Sequence, residues 1–281
     1  MVALVNIVWI LSGISVYFWA FTTVFSFFSK GFVFVGCANI STRLVFQITT
    51  RSCPSLIQRT IDSVLESCKQ LGYTNFQICI VTDNPDPPSI NGIDTMIVVP
   101  ANFSCSAKYK ARALEYSRLV RINKGYHGWI YFLDEENWLS VQTVKAITSF
   151  AQSQSRLIAS GPLAFFGHGS KLAWLGDSIR TSICRTCHFG HSLGHWPLHG
   201  ENMLVHSEIE KKVNWLGSSL TEDFLFSSRA AAVGYKTGWH GGVLNSYSPS
   251  SLTDLILQRR RWFRGFIGIV FTVIFRGYIG F

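Results

Sequence analysis

Gly128-Trp-Ile-Tyr-Phe-Leu-Asp-Glu-Glu-Asn137 is the stretch on which the fold reading turns. From Trp129 to Leu133 every side chain is apolar or aromatic, with no polar alternation. A strand with one wet face alternates; an unbroken run belongs to a strand covered on both faces, as in a parallel sheet sandwiched by helices. The run stops at Asp134-Glu135-Glu136. In extended backbone, residues i and i+2 project to one side. Asp134 and Glu136 can therefore reach one hard cation that keeps some waters and takes its remaining oxygens from a diphosphate. Taken alone, the triplet also reads as a solvated acidic loop.

Working outward, the upstream chain alternates strand and helix. Residues 43–49 are β-rich and predict a strand. Pro54 opens a helix to about residue 70, with Leu56, Ile57, Ile61, Val64 and Leu65 at helical spacing. Residues 76–82 predict a second strand ending at Asp83, followed by a Pro-rich turn over 84–88 and a short strand over 95–99. Residues 107–120 predict a helix. This order implies an α/β domain with a largely parallel sheet, in which ligands bind outside the carboxyl ends of the strands. Asp83 and Asp134 both sit at such ends. Neither Gly-x-Gly-x-x-Gly nor a P-loop occurs, so dinucleotide and Walker-type readings have no support.

Downstream, Thr221-Glu222-Asp223 precedes Phe224-Leu-Phe226. Thr221 fits an N-cap, and the two acids complement a helix start. The same carboxylates, held at a cleft, can remove a proton from an attacking hydroxyl. In Gln258-Arg-Arg-Arg-Trp262, a helix puts Gln258, Arg261 and Trp262 on one face. Arg261 can pair with a phosphate oxygen, and Trp262 offers a plate for a sugar ring. Arg259, Arg260 and Arg264 read as a juxtamembrane basic patch.

Composition bounds the rest. Of 281 residues, 48% are hydrophobic and 15% charged, against roughly a quarter charged in ordinary domains. That apolar mass excludes a disordered chain and argues against a simple soluble enzyme. The net charge is +9, concentrated in the second half, where 14 Lys/Arg face 7 Asp/Glu. A basic cluster beside an apolar tail suits an anionic membrane surface or a diphosphate ligand, whereas no nucleic-acid motif or basic–aromatic stripe appears. Residues 1–29 contain no Asp, Glu, Lys or Arg, long enough for a retained membrane helix over 1–30. Lys30, Arg43 and Arg51 follow it and place the next domain in the cytosol. Under that topology the sequons at Asn39 and Asn102 are accidental. Residues 266–275 are apolar but short, so 263–281 reads either as an interfacial helix or as a cut-off span. Seven irregularly spaced cysteines imply reduced thiols. Cys184-Arg-Thr-Cys187-His188, followed by His191, His195 and His199, permits a zinc site or a c-type haem match, but reads more simply as a polar loop.

Val81-Thr-Asp83, Lys110-Ala-Arg-Ala-Leu114, Leu133-Asp-Glu-Glu136, Glu222-Asp223 and Gln258-Arg-Arg-Arg-Trp262, in that order behind an apolar leader, resemble the family 2 glycosyltransferases of GT-A fold. Within that family they resemble the egghead-type β-1,4-mannosyltransferases. The resemblance implies a Rossmann-like mixed, mainly parallel sheet flanked by helices, as a GT-A domain over 40–262. It implies that Asp83 contacts the donor nucleoside and that Lys110 or Arg112 lines the nucleotide pocket. Asp134 and Glu136 take the metal position, for Mg²⁺ or Mn²⁺, although the family's usual second acid is Asp. Asp223 resembles the catalytic base, with Glu222 beside it. Gln258, Arg261 and Trp262 resemble the segment closing over diphosphate and acceptor, and Gly200 stands at the acceptor-side loop. The implied donor is a nucleotide sugar, GDP-mannose by preference. The implied acceptor is lipid-linked or a glycolipid, at the endoplasmic reticulum, Golgi or plasma membrane. A processive polysaccharide synthase and a non-catalytic anchored binding protein are the alternatives.

Overall fold

The computed structural model describes residues 41–275 apart from 52, 154, 168, 179–180, 182–190, 192–197 and 218. The predicted span over 1–30, Cys37, Asn39, Cys184, Cys187, His188 and His195 lie outside the described residues. Among the described residues no helix is long and apolar enough to cross a membrane.

Among the described residues the elements are β1 Leu44–Thr50, α1 Pro54–Leu71, β2 Phe76–Thr82, β3 Thr95–Val98, α2 Lys110–Asn123, β4 Trp129–Asp134, β5 Asn137–Trp138, α3 Val141–Ser153, β6 Ile158–Ser160, β7 Leu163–Phe166, β8 Met203–His206, α4 Ser207–Lys212, α5 Glu222–Ala232, β9 Gly238–Trp239, β10 Leu244–Tyr247 and α6 Leu252–Phe275. A short helical stretch, 171–178, lies between β7 and β8. Seven strands form one sheet in the order β3-β2-β1-β4-β8-β6-β9. The expected parallel character holds for β3, β2, β1 and β4; β8 runs antiparallel to both β4 and β6. A second sheet, β5-β10-β7, was not legible from strand-like patterning, since its strands are two to four residues long.

The apolar run of β4 is buried on both faces, for the reason inferred above. Trp129, Tyr131 and Leu133 join Leu44, Phe46 and Ile48 of β1 and Ile57, Ile61 and Val64 of α1 in one core. Ile130 and Phe132 face the other way, packing with Leu114 of α2, Ile209 of α4 and Phe226 of α5. The result is a three-layer sandwich of helices, sheet and helices. On the second face, Arg121 donates two hydrogen bonds to the Glu210 carboxylate (2.8 and 2.5 Å) and one to Gln47 in mid-β1. Both members of the pair are buried.

Register aligns the strand ends. Thr49 of β1 lies opposite Asp134, and Thr50 opposite Thr82, so Asp83 and Asp134 leave the sheet at one edge. The chain steps from β1 outward to β2 and β3, then returns to place β4 on the other side of β1. This reversal opens a crevice between strand ends. The predicted helix over 107–120 begins later, at Lys110, because Tyr109 has φ 55° and ψ −134°, which no helix accommodates.

Removing one partner of the Arg121–Glu210 pair leaves a buried charge uncompensated. Glu210→Ala is expected to cost about 3–5 kcal/mol, read by urea unfolding; a loss within the range of surface substitutions would show that the pair does not hold α2 and α4 to the sheet.

Candidate active site

At the carboxyl edge of the sheet the structure has a cavity of about 960 Å³. Asp83, Lys110, Asp134, Glu136, Gly200, Glu222, Asp223, Gln258, Arg261 and Trp262 all line it. Of the residues predicted from sequence, Arg112 alone stands behind the wall. Its guanidinium donates to Asp83 at 2.7 Å and to the carbonyls of Pro100 and Phe103. It braces Asp83 from outside while Lys110 enters the cavity.

The acidic turn after β4 is clamped by α1. Arg59 donates to the Glu136 carbonyl (3.1 Å) and the Thr60 hydroxyl to the Asn137 carbonyl (2.6 Å). Asn137 accepts from the Asp134 amide (2.6 Å) and donates to Glu201 (2.7 Å) and Ser246 (3.1 Å). Thr50, at the end of β1, hydrogen bonds Glu135. The turn is therefore a held structure and not a loose solvated loop.

Lys110 sits at the centre of the charges. Its ammonium pairs with Asp134, lies 4.0 Å from Glu222 and 3.5 Å from the Gly200 carbonyl. Burial works against that charge, yet the carboxylates of Asp134 and Glu222 outweigh it and hold Lys110 above the usual lysine range. Burial pushes the Glu136 carboxyl up to about 8, with Asp134 and Glu201 adding like charge. Glu222 is pushed up to about 7 by burial, with Lys110 opposing and Asp223 reinforcing the rise. Such crowding of oxygen donors is what a hard divalent ion relieves, so Asp134 and Glu136 fit the predicted metal position, with Glu201 close by.

Asp223 lies in the first turn of α5. Its Oδ1 accepts the Phe224 amide at 2.8 Å. Thr221 is the N-cap residue, as expected, but its side chain makes no capping bond; its hydroxyl faces Ser219 at 3.1 Å. Asp223 itself takes an open amide of the helix start. A Cβ on Gly200 would lie 3.3 Å from Asp223 Oδ2, so Gly200 brings backbone against that carboxylate. Burial raises the Asp223 carboxyl, with the amides of Phe224 and Gly200 and the charge of Lys110 opposing.

Helix α6 closes one side. A Cβ on Gly265 would fall 2.8–2.9 Å from Thr221, so this glycine seats α6 on the start of α5. Arg259, expected in an idle basic patch, is instead engaged: it pairs with Asp177 and its guanidinium lies 4.3 Å over the Trp262 ring. Arg260 and Arg264 are exposed.

Sequence reasoning missed Glu201, Asn137 and Tyr109. Glu201 follows the singled-out Gly200, and Asn137 follows the acidic triplet, so position alone was available as a signal. Behind them Asn202, at φ 58°, is buried and accepts from the Tyr131 hydroxyl while donating to the carbonyls of Pro162 (2.7 Å) and Gly242 (3.0 Å). Cys53, Cys68, Cys79 and Cys105 are free thiols.

Glu136 binds its proton more tightly in the folded chain, at about 8 against a usual 4.5. The folded state then holds the extra proton between those values, so its stabilising share is complete below about 4.5 and is lost as pH rises through 8. Without divalent metal, Glu136→Gln is expected to flatten the decline of Tm between pH 5 and 8; an unchanged profile would remove Glu136 from the charge cluster.

The family model described as "Glycosyl transferase family group 2" matches residues 129–281. The chain is 28% identical over 242 residues to the beta-1,4-mannosyltransferase bre-3 of Caenorhabditis elegans, covering 81% of this chain and 53% of that protein. It is 28% identical over 256 residues to the beta-1,4-mannosyltransferase egh of Drosophila melanogaster, covering 86% and 56%. The chain thus spans about half the length of the curated relatives it matches. Among solved structures, its fold is similar to a mannosyltransferase from Pyrobaculum calidifontis in complex with GDP-Man and Mn²⁺ (TM-score 0.59, 13% identity, 89% of this chain and 71% of that one). It is also similar to mannosyl-3-phosphoglycerate synthase from Rubrobacter xylanophilus (TM-score 0.53, 11% identity, 86% and 77%). The mixed α/β, mainly parallel sheet with its carboxyl-edge cavity is a GT-A-like fold, and the chain belongs to glycosyl transferase family group 2.

Proposed function

We propose that this chain is the catalytic part of an inverting glycosyltransferase that moves mannose from GDP-mannose to a lipid-linked or glycolipid acceptor, giving a β-glycoside. The observation that carries the reading is that Asp134, Asp223 and Arg261, distant in sequence, line one cavity at the switch point of the sheet. The mannosyl donor is favoured by the beta-1,4-mannosyltransferases it resembles.

In this scheme Asp83 holds the nucleoside and Arg261, with Gln258, meets the diphosphate on the α6 side. Asp134 and Glu136 would hold Mg²⁺ or Mn²⁺, which would supply positive charge to the departing diphosphate. Asp223 takes the proton from the acceptor hydroxyl as its oxygen bonds to the anomeric carbon. The bond from that carbon to the phosphate oxygen breaks, and nucleoside diphosphate leaves with the electron pair. Attack opposite an α-linked leaving group inverts the centre to β. Burial raises the proton affinity of the Asp223 carboxyl, the direction that strengthens a general base. Glu222 steadies Lys110 against Asp134, and Trp262, backed by Arg259, offers the acceptor sugar a flat apolar face. A membrane-held acceptor would meet a membrane-tethered enzyme in one plane, with the catalytic region in the cytosol at the endoplasmic reticulum, Golgi or plasma membrane.

Assay against a panel of GDP- and UDP-sugars is expected to give turnover with GDP-mannose first. Asp223→Asn should lower transfer by about 10²–10⁴ while retaining donor affinity; near-normal turnover in that variant excludes Asp223 as the base. Chelation of divalent ions should abolish transfer and added Mn²⁺ or Mg²⁺ restore it. Full activity in chelator would sink the metal role assigned to Asp134 and Glu136.

A further inference from the structure

We propose that His127, His206 and Glu208 form a second metal site, for a zinc-class divalent ion, at the end of the sheet remote from the cavity. One potential ligand atom from each of the three lies within 4.8 Å of the others. His127 is in the turn between α2 and β4, and His206 ends β8 and leads into α4. The register sets Trp129 opposite His206, so the cluster sits at the start of β4 while Asp134 sits at its finish. Five residue steps of about 3.3 Å separate the two, roughly 16 Å along the strand.

The geometry is close to a ligand set without being collapsed into one. Tetrahedral zinc with bonds of about 2.0–2.1 Å needs donors roughly 3.4 Å apart. His206 is buried and steadied by Trp129, whose ring is edge-on at 5.0 Å. His127 packs edge-on to His206, also at 5.0 Å. His127 and Glu208 are both exposed, so their side chains can close the remaining distance without moving backbone. Two imidazoles and one carboxylate, with a position left for water, are the donors that select zinc over magnesium. The Asp134–Glu136 turn offers oxygen alone and selects the opposite way.

One carboxylate stands beside two imidazoles here, a mixed nitrogen and oxygen donor set. His206 Nδ1 accepts the Glu208 amide at 3.4 Å, a long contact that a metal bond outweighs. An ion there would join the turn before β4 to the start of α4 and so clip the pair of strands β4 and β8 at their far end. The site takes no part in sugar transfer.

The test uses the full chain, stripped of metal and titrated with Zn²⁺ by calorimetry and with Co²⁺ by visible absorption. The parent protein is expected to bind one ion at this site with a tetrahedral Co²⁺ spectrum free of sulfur-to-metal charge transfer, and Zn²⁺ should raise its Tm. His127→Ala and Glu208→Gln, both at exposed positions, should each weaken that binding by about tenfold or more and remove the Tm rise. Donor binding and transfer in the two variants should equal the parent's, which separates this site from the cavity. Zinc uptake and Tm gain undiminished in both variants, as ligation through Cys184 and Cys187 would give, overturns the proposal. So does a parent chain that takes up no zinc.

Discussion

The pairing of one ammonium with several crowded carboxylates is the constraint around which the cavity is built. Lys110 is the first residue of α2, where the helix dipole disfavours a cation. It is retained there by Asp134 from the sheet, Glu222 from α5 and the carbonyl of Gly200. The charge of Lys110 opposes the burial that raises Glu222 and, more weakly, Glu136, and a divalent ion and an anionic diphosphate would add to the same balance from the cavity side.

Backbone direction supplies that convergence. The parallel strands β1, β2 and β4 deliver Thr50, Asp83 and Asp134 to one edge because their register is in step. The antiparallel strand β8 does the complementary job. Met203 lies opposite Phe132, so the residues before it, Gly200 to Asn202, arrive at the edge where β4 ends. A parallel β8 would have sent them to the far side. Asn202 turns the chain there at φ 58°, and its buried side chain fixes the turn to Tyr131 and to the carbonyls of Pro162 and Gly242. His240 lies in the same layer. Burial pushes it down to about 4, so it stands neutral behind the site and contacts the Asn202 carbonyl at 3.2 Å.

Two glycines let separate elements meet at the reacting end. Gly200 brings a loop onto Asp223, and Gly265 lets α6 lie on Thr221 at the start of α5. A methyl group at Gly265 would be 2.8 Å from the Thr221 amide, so any larger residue would lift α6 and carry Gln258, Arg261 and Trp262 away from the acids. The Arg259–Asp177 pair ties the same helix to the stretch 171–178.

The sequence by itself determined the central strands, because a doubly buried strand must be apolar throughout and Trp129 to Leu133 is; it determined α1, because Pro54 and helical spacing mark it. It also placed Asp83, Asp134 and Glu136, since strand ends in such sheets face the ligand crevice. It did not determine β5, β7 and β10, which are too short to carry a period, or the direction of β8, since a strand of four residues reads alike both ways. Only the tertiary structure decided that Arg112 braces Asp83 from behind, that Arg259 engages Asp177 and Trp262, and that Glu201 and Asn137 join the acidic turn. The contacts Arg112–Asp83, Arg259–Asp177 and Asn137–Glu201 join residues tens of positions apart; local pattern records which face is apolar, but which charge finds which partner is set by packing and register.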